Sequence, residues 1–259
     1  MKIIKINLNQ ERNEIVDDIT IKPISDIHLG DKLCNLKALK KVLQEIKDEP
    51  NTYTILNGDM CNVALKNSKS DVYSDDMSPM EQMIELSSLL EPIKDKILVI
   101  GSGNHDMRIA KETNIDIIRV VARELGIEER YAEGMWYLFL QIGKCRRGRP
   151  IQYEITGYHG NVGGRKSGGK INRLEEMSAI SIADLYLMSH SHKPIITKGI
   201  TYMPDEQHQT MIKKELFYLM TNSFVEYGGY AETMGLPPSN TGMTEALLNA
   251  KIKKIKLSI

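Results

Sequence analysis

Short apolar runs alternate with helical patterns along the first half of the chain, and this alternation restricts the fold more than any other feature. Residues 19–25, 53–56 and 97–100 have the apolar character and the length of buried strands. Leucine and isoleucine recur at helical spacing over residues 36–49, just before Pro50. A strand–helix–strand order of this kind builds a sheet with helices on its faces. Together with further strands in the second half, it predicts an α/β chain with a mixed sheet, or two packed sheets, and helices outside.

The remaining elements follow from local signals. Residues Ser78 to Glu81 have the form of a capping box with proline at the first helical position, which predicts a helix to about Leu90. A helix is also expected after Thr113, where Asp116 completes a weaker capping box. The other predicted elements are a hairpin of 136–142 with 151–157, a helix at 170–180, strands at 185–189, within 195–203 and within 216–222, and an edge-closing tail at 251–259.

The composition is that of an ordinary globular protein, with 41% hydrophobic and 26% charged residues. The 259 residues fit one large α/β domain or two small ones, and we expect a single domain over residues 1–259. The formal net charge is zero, so no global basic field indicates a polyanionic partner.

Cysteine usage and hydropathy bear on the compartment. Cys34, Cys61 and Cys145 form no C-x-x-C pair, so we expect free thiols rather than a disulfide framework. Residues 1–14 lack the apolar core of a signal peptide, and no run approaches the ~20 apolar residues of a membrane span. We therefore expect a cytoplasmic protein without a membrane partner.

Five of the six histidines come just after predicted strands, each among other polar residues. With one further carboxylate turn, these strand ends are Asp26-Ile27-His28, Asn57-Gly58-Asp59, Gly103-Asn104-His105-Asp106, Tyr158-His159-Gly160 and Ser189-His190-Ser191-His192. Ligands bind at the carboxyl ends of strands in open α/β sheets, so these turns predict one converging site. His208 lies outside the set and is expected at the surface.

Imidazole and carboxylate groups in this arrangement favour divalent transition metals such as Mn, Fe, Zn, Co and Ni. Asp26 and His28 are two residues apart on an extended segment, so both point to the same side and can hold one ion. His190 and His192 have the same spacing and can divide between neighbouring ions. Two cations roughly 3.5–4 Å apart need a bridging carboxylate, and Asp59, alone at its strand end, is the natural bridge. Each motif alone is more often an ordinary turn, and it is their joint occurrence that predicts a metal centre.

The order of these motifs from Asp26 to His192 resembles the calcineurin-like metallophosphoesterase family. The resemblance implies a four-layer fold, a mixed β-sandwich flanked by helices, and hydrolysis of a phosphate ester with two divalent transition-metal ions, Mn foremost. It implies that the first ion is held by Asp26, His28, Asp59 and His192, and the second by Asp59, Asn104, His159 and His190. His105 matches the family's histidine beside the substrate, the proton donor to the leaving group, and Asn104 is also expected to contact the substrate.

Two departures from the family pattern restrict the range of activities that we expect. Protein phosphatases of the family carry Gly-Asp-x-x-Asp-Arg-Gly, whereas residues 58–64 here contain no arginine. This argues against a protein Ser/Thr phosphatase and favours a phosphodiester over a monoester. Asn62 stands where the aspartate that orients the catalytic histidine is expected, and it can still hydrogen-bond His105. Asp106 either orients His105 or caps the following turn.

A glycine-rich and cationic segment, residues 160–170, follows His159 directly and does not match a P-loop. It is interpreted either as a rim that clamps the substrate phosphate through Arg165 and Lys166, or as a solvated loop.

Three further segments have weaker interpretations. Residues 67–78 are polar and form either a loop beside the active site or a solvated connector. The basic turn at residues 144–149 is typical of a solvated hairpin tip. Residues 227–238 resemble tails of phage and prophage members of the family.

Three functions are compatible with these features. The leading hypothesis is a metal-dependent phosphodiesterase or phosphatase acting on a phosphate ester, including nucleotides or nucleic acid. The second is a nuclease that acts on DNA or RNA ends, but a net charge of zero and 6% aromatic residues give it little support. The third is a non-catalytic scaffold with this fold, and the presence of every candidate ligand together with His105 argues against such an eroded site.

Overall fold

The computed structural model describes residues 1–65, 75–161, 166–235, 237–238 and 242–259, with the backbone alone for Tyr230. Its strands are β1 (Lys2–Asn7), β2 (Ile19–Ile21), β3 (Thr52–Asn57), β4 (Ile97–Gly101), β5 (Tyr131–Ala132), β6 (Trp136–Ile142), β7 (Ile151–Tyr158), β8 (Leu185–Met188), β9 (Ile195–Asp205), β10 (Thr210–Met220), β11 (Glu245–Leu248) and β12 (Ile255–Ser258). Its helices are α1 (Leu8–Glu11), α2 (Leu36–Asp48), α3 (Pro79–Leu90), α4 (Met107–Thr113), α5 (Ile117–Glu124), α6 (Ser167–Glu175) and α7 (Gly229–Thr233). Short 3₁₀ helices occupy Glu91–Lys96, Glu128–Arg130 and Glu176–Ala179.

The described strands form two six-stranded sheets. The first sheet has the order β1-β6-β7-β8-β10-β9, and the second has the order β12-β11-β2-β3-β4-β5. Strands β2 to β5 are mutually parallel, as are β7, β8 and β10. Within each group the carboxyl ends therefore lie at one edge of the sheet, which is where a ligand site is expected.

Three apolar clusters divide the chain into four layers. The largest lies between the sheets, where Trp136 is fully buried among residues of both. The second packs α2, α3 and α5 against the outer face of the second sheet, and the third packs α6 against the outer face of the first. Strands β3 and β4 are buried along their whole length because they are covered on both faces. The predicted α/β fold, a mixed β-sandwich flanked by helices, is confirmed.

The local signals of two helices are confirmed. Helix α2 buries Leu39, Leu43 and Ile46 on one face, and the side chain of Asn35 caps its first turn. Helix α3 begins with the complete capping box predicted at Ser78. Among the described helices, none has the length and apolar character that crossing a membrane requires.

The prediction for the segment after Thr113 is wrong in detail. Thr113 is the last residue of α4, which Asn114 closes with a left-handed backbone at φ 61°. Asp116 is the N-cap of α5, where its side chain accepts a hydrogen bond from the backbone N–H of Arg119. Thr113 and Asp116 therefore do not form one capping box, because Thr113 ends α4 and Asp116 caps α5.

Other differences concern strand lengths. The first predicted strand is shorter, because regular pairing stops at Ile21 and only an isolated bridge joins Ile24 to Leu56. Strand β1 was not predicted, although it pairs in parallel with β6 at the sheet edge. The hairpin of β9 and β10 is longer than predicted, since its outer half pairs without being buried. The tail pairs β12 with β11 at the edge of the second sheet, as expected. Cys34, Cys61 and Cys145 are free thiols.

Candidate functional site

The polar turns that follow five parallel strands meet between the two sheets. Strands β2, β3 and β4 lead into the turns of the second sheet, and β7 and β8 lead into those of the first. The side chains brought together there are Asp26, His28, Asp59, His105, His159, His190 and His192. Their arrangement divides them into smaller groups whose nitrogen and oxygen atoms lie within 4.8 Å of one another.

The first group contains Asp26, His28 and His192. Nε2 of His192 lies 3.2 Å from Oδ1 of Asp26, and 3.3 Å from Nε2 of His28. Asp26 is fully buried. Its other oxygen, Oδ2, accepts hydrogen bonds from the hydroxyl of Ser25 at 2.6 Å and from the backbone N–H of His190 at 3.2 Å. One carboxylate oxygen is thus used for positioning, and the other faces the histidines.

The second group contains Asp59, His159 and His190. Nε2 of His159 lies 3.0 Å from Oδ2 of Asp59 and 3.3 Å from Nδ1 of His190. The Nδ1–H of His159 donates to the carbonyl oxygen of Asn57 at 2.9 Å. This bond leaves Nε2 facing Asp59, and once Nε2 gives up its proton the ring has the tautomer that a metal ligand needs.

Asp59 lies between the two groups. Its Oδ2 atom is 3.0 Å from Nε2 of His159 in the second group and 3.8 Å from Nε2 of His28 in the first. Its Oδ1 atom accepts the backbone N–H of His105 at 2.8 Å, which holds the carboxylate in this orientation. One oxygen therefore faces both groups, as the predicted bridging role requires.

The two groups have the chemistry and the spacing of a transition-metal site. At ligand distances of about 2.0–2.2 Å, neighbouring ligand atoms around one ion lie about 3.0–3.6 Å apart, which agrees with the contacts of 3.0–3.3 Å within each group. Oδ1 of Asp26 is buried and faces Nε2 of His192 at 3.2 Å, without a hydrogen bond of regular geometry in the described part of the chain. A buried carboxylate oxygen in this position is costly unless a cation binds it. These residues therefore fit a pair of divalent cations.

His28 and Asp59 have the protonation states of metal ligands, whereas His159 is held protonated. Burial and then the neighbouring His105 lower the pKa of His28 to about 3, so its imidazole is neutral at pH 7. Burial alone would raise the pKa of Asp59, but His159 outweighs it and the pKa of the carboxyl is lowered. Burial would lower the pKa of His159, yet Asp59 raises it to about 10. Metal binding at the second group must therefore displace a proton.

The backbone of the site is strained at several of the candidate ligands. Residues with a left-handed backbone there are Asp26 (φ 50°), His28 (φ 49°), Asp59 (φ 52°), His190 (φ 67°) and His192 (φ 52°). Such conformations are unfavourable for residues other than glycine and gather at functional sites. Gly103 is needed for space, because a Cβ atom there would lie 2.2 Å from Oδ1 of Asp59.

His105 lies beside the first group with its ring held at both nitrogens. Nδ1 is 3.0 Å from both the carbonyl oxygen and the side-chain Oδ1 of Asn62. Nη2 of Arg108 lies 2.9 Å from Nε2. Burial, and to a lesser extent Arg108, lower the pKa of His105 to about 4, although Asp59 acts in the opposite direction. His105 also forms a possible metal group with His28 and Asp59, so geometry alone leaves a ligand role open to it.

Asp106 takes neither of the two roles considered for it. Its carboxylate accepts backbone N–H groups of Gly103 at 2.8 Å, Cys61 at 2.9 Å and Met60 at 3.3 Å. Its side chain makes no cap hydrogen bond to α4, and within the described chain no hydrogen bond joins it to the His105 ring. Burial and the charge of Asp59 raise its pKa to about 7. Asp106 therefore has a structural role, because its hydrogen bonds connect the loop after β3 with the loop after β4.

The remaining predicted residues are less closely tied to the site. Asn104 is exposed, and its side chain makes no hydrogen bond to the rest of the described chain. Lys166 is exposed at the N-terminus of α6. Arg165 lies outside the described residues, as does most of the polar segment 67–78. His208 is exposed and contacts Asp205, away from the site as expected.

The structure adds residues that were not predicted. Arg108 donates from Nη1 to the carbonyl oxygens of Asn62 at 3.0 Å and Val63 at 3.2 Å, next to the segment that lacks the phosphatase arginine. The buried Lys170 donates to the carbonyl oxygen of Ser191, between two candidate ligands. The Ser25 hydroxyl that holds Asp26 lies 2.6 Å from that of Thr221, at the end of β10. Serine, threonine and lysine are too common near turns for their sequence position to signal these contacts.

Comparison with known proteins gives one match by sequence and several by structure. The family model for calcineurin-like phosphoesterases matches residues 19–212. A search of curated proteins found no significant match. Among solved structures, the chain is similar to a conserved uncharacterised protein of Streptococcus pneumoniae described as a predicted phosphoesterase, with 13% identity, a TM-score of 0.38, and 93% of this chain and 90% of that chain covered.

Two further solved structures are similar at the same level. A metallophosphoesterase from Sphaerobacter thermophilus has 14% identity and a TM-score of 0.43, with 89% of this chain and 84% of that chain covered. GAP50, the anchor in the inner membrane complex of Plasmodium, has 11% identity and a TM-score of 0.43, with 93% and 84% covered.

Proposed function

This chain belongs to the calcineurin-like phosphoesterase family, and we propose that it is a dinuclear metal-dependent phosphodiesterase acting as a single domain. The observation that carries the proposal is the position of Asp59, whose Oδ2 atom faces His159 at 3.0 Å and His28 at 3.8 Å. A carboxylate shared in this way supports two adjacent cations.

The residues proposed to hold the cations follow the two groups of the site. Asp26, His28, Asp59 and His192 would hold one, and Asp59, His159 and His190 the other. Asn104 is added to the second set from the family resemblance alone. Mn is the preferred candidate because mixed carboxylate and imidazole ligands suit it, with Fe, Zn, Ni and Co as alternatives. When bound, such a pair supplies an activated water at neutral pH and neutralises charge on the phosphoryl oxygens.

His105 is proposed as the general acid for the leaving group. Its Nδ1–H is held by Asn62, so the proton would pass through Nε2, and the substrate would have to displace Nη2 of Arg108, which lies 2.9 Å from that atom. Because burial lowers the pKa of His105 to about 4, the protonated ring depends on the negative charge of a bound phosphate ester beside it. General acid catalysis of this kind contributes about 10²–10⁴-fold to the rate.

The preference for a diester rests on the charge that the site offers. A monoester dianion calls for more cationic groups than a diester monoanion, and residues 58–64 supply none. Arg108 lies beside this segment, but the carbonyl oxygens of Asn62 and Val63 already share its charge. Arg165 and Lys166 are proposed to hold the second ester arm or a neighbouring phosphate.

The test is a comparison of kcat/KM for bis-p-nitrophenyl phosphate and p-nitrophenyl phosphate at one pH with Mn. We expect a clear preference for the diester. Asp59→Asn serves as the control and should be inactive toward both esters. A preference for the monoester that persists in Arg165→Ala and in Arg108→Ala would contradict the diester assignment. A metal-loaded protein that hydrolyses neither ester would instead favour the non-catalytic scaffold.

A further inference from the structure

The side-chain amide of Asn62 lies between a histidine and a carboxylate. Asn62 is 2% exposed. Its Nδ2 atom donates to Oδ1 of Asp75 at 2.6 Å, and its Oδ1 atom lies 3.0 Å from Nδ1 of His105. A carboxylate can only accept, so the NH₂ group must face Asp75 and the amide oxygen must face the ring. The orientation of the Asn62 amide is therefore set by Asp75.

Asp75 is itself held in place by three donors. Its Oδ2 atom accepts the backbone N–H of Ala64 at 3.1 Å and the side-chain Nε2 of Gln82 at 3.0 Å, in addition to the Asn62 bond at Oδ1. Gln82 is fully buried, and its Oε1 accepts the N–H of Val63 at 3.0 Å. The carboxylate of Asp75 is thus fixed relative to the loop that carries Asn62.

We propose that Asp75 is a positioning residue for His105, acting through the amide of Asn62. The inference rests on the proposed role of His105 as general acid. With Asp75 in place, the Asn62 amide oxygen accepts the Nδ1–H of His105, and Nε2 lies on the other side of the ring, 2.9 Å from Nη2 of Arg108. Without Asp75, the amide is free to turn its NH₂ group toward Nδ1. There it would oppose the Nδ1–H that the Asn62 carbonyl oxygen accepts and that Arg108 at Nε2 favours, so the ring would be held less firmly. The carboxylate lies 13 residues beyond Asn62 in the chain.

A positioning role of Asp75 can be told from a purely structural one by comparing substrates whose leaving groups differ in basicity. A weakly basic leaving group such as nitrophenolate needs little protonation, whereas phenolate needs more. In Asp75→Ala we expect kcat for diphenyl phosphate to fall about 10- to 100-fold, the usual effect of losing an orienting partner. The loss for bis-p-nitrophenyl phosphate should be clearly smaller. Rates are compared per bound metal ion, because Oδ1 of Asn62 also lies 3.3 Å from Nδ1 of His28. Asp76→Ala is the matched control, because Asp76 is an exposed neighbouring acid whose side chain pairs with Lys32 at 3.9 Å.

A second measurement is independent of turnover. Long-range proton–nitrogen NMR correlations of the zinc-loaded protein with ¹⁵N-histidine report which ring nitrogen of His105 carries the proton, with His105→Ala identifying the signal. We expect Nδ1–H in all three proteins, because Arg108 lies at Nε2 and the Asn62 carbonyl oxygen at Nδ1. In Asp75→Ala the Nδ1 resonance should be displaced toward that of a weaker hydrogen bond, whereas the wild type and Asp76→Ala should agree. Asn62→Ala should show a similar change, and the double variant Asn62→Ala/Asp75→Ala should be no worse than Asn62→Ala alone.

The outcomes separate this inference from the proposed function. An unchanged His105 Nδ1 resonance in folded Asp75→Ala, or equal losses for both diesters, would overturn the role of Asp75 and leave the phosphodiesterase intact. A wild type that hydrolyses neither diester would overturn the proposed function, while the NMR measurement would still decide whether Asp75 strengthens the hydrogen bond at Nδ1. If Asp75→Ala does not fold, Asp75→Asn serves instead, since its amide cannot satisfy all three donors and should change the same readouts in the same direction.

Discussion

The Oδ2 oxygen of Asp59 lies 3.0 Å from the Nε2 nitrogen of His159. Asp59 follows β3 in one sheet and His159 follows β7 in the other, so this contact joins the two halves of the sandwich at the site. The bond from His159 Nδ1–H to the Asn57 carbonyl oxygen fixes the ring across the same boundary. The geometry of the candidate metal centre therefore depends on the packing of the sheets, and substitutions that disturb this contact should affect metal binding before they affect the fold.

His105→Ala is expected to keep both metal ions while turnover drops by roughly 10²–10⁴-fold. The reason is that the ring is held by Asn62 and lies beside the first metal group, where a proton donor is needed. The loss should be smaller for nitrophenyl esters than for phenyl esters. Metal content and turnover are measured on the same preparation. A collapse of metal content together with activity would identify His105 as a ligand, in the group it forms with His28 and Asp59.

Gly103→Ala is expected to lose most of the bound metal. The new Cβ atom would lie 2.2 Å from Oδ1 and 2.3 Å from the backbone nitrogen of Asp59, so the carboxylate has to move. Gly134→Ala is the matched control, because a Cβ atom there meets nothing within 4 Å. Elemental analysis and thermal unfolding are compared for both variants. Equal metal content in the two folded variants would show that the position of Asp59 is not critical.

Cys145 is expected to react with iodoacetamide faster than the other cysteines at pH 8. Hydrogen bonds from the backbone of Arg147 and Arg149 lower the pKa of its thiol, so a larger fraction is thiolate. Burial and Asp31 raise the pKa of Cys34 to about 11, and burial with Asp106 raises the pKa of Cys61 well above its usual range. Mass spectrometry of timed samples should find the label at Cys145 first, and Cys145→Ser should remove the fast phase. A fast phase that survives this substitution would contradict the ranking.

The sequence predicts the central strands, and the structure groups most of the candidate ligands, because both follow from local patterns. Strands β3 and β4 are buried on both faces, so they appear as unbroken apolar runs. The ligands directly follow such runs, and parallel strands bring their carboxyl ends to one edge. The structure accordingly brings Asp26 and His28 together with Asp59, which belongs to a different turn.

The elements that the sequence misses depend on contacts between distant segments. Strand β1 has few buried residues, and its pairing with β6 decides its conformation. The outer half of the β9–β10 hairpin is exposed, so no apolar pattern marks its length. Asp75 lies in a polar segment, and only the folded loop brings it to Asn62. The contact of the Arg108 guanidinium with the His105 ring likewise depends on the folded loop and is not marked in the sequence. The role of Arg165 and the resemblance of residues 227–238 to phage and prophage tails stay predictions.

The most direct test of the central claim is the metal content of the purified, metal-supplemented protein, measured by elemental analysis against protein concentration. The shared carboxylate of Asp59 predicts two transition-metal ions per chain in the wild type. It also predicts that Asp59→Asn, which removes the bridging charge without changing the shape of the side chain, loses most of both. A correctly folded wild type with only trace metal, or an Asp59→Asn variant that retains two ions, would contradict the assignment of a dinuclear centre at Asp59.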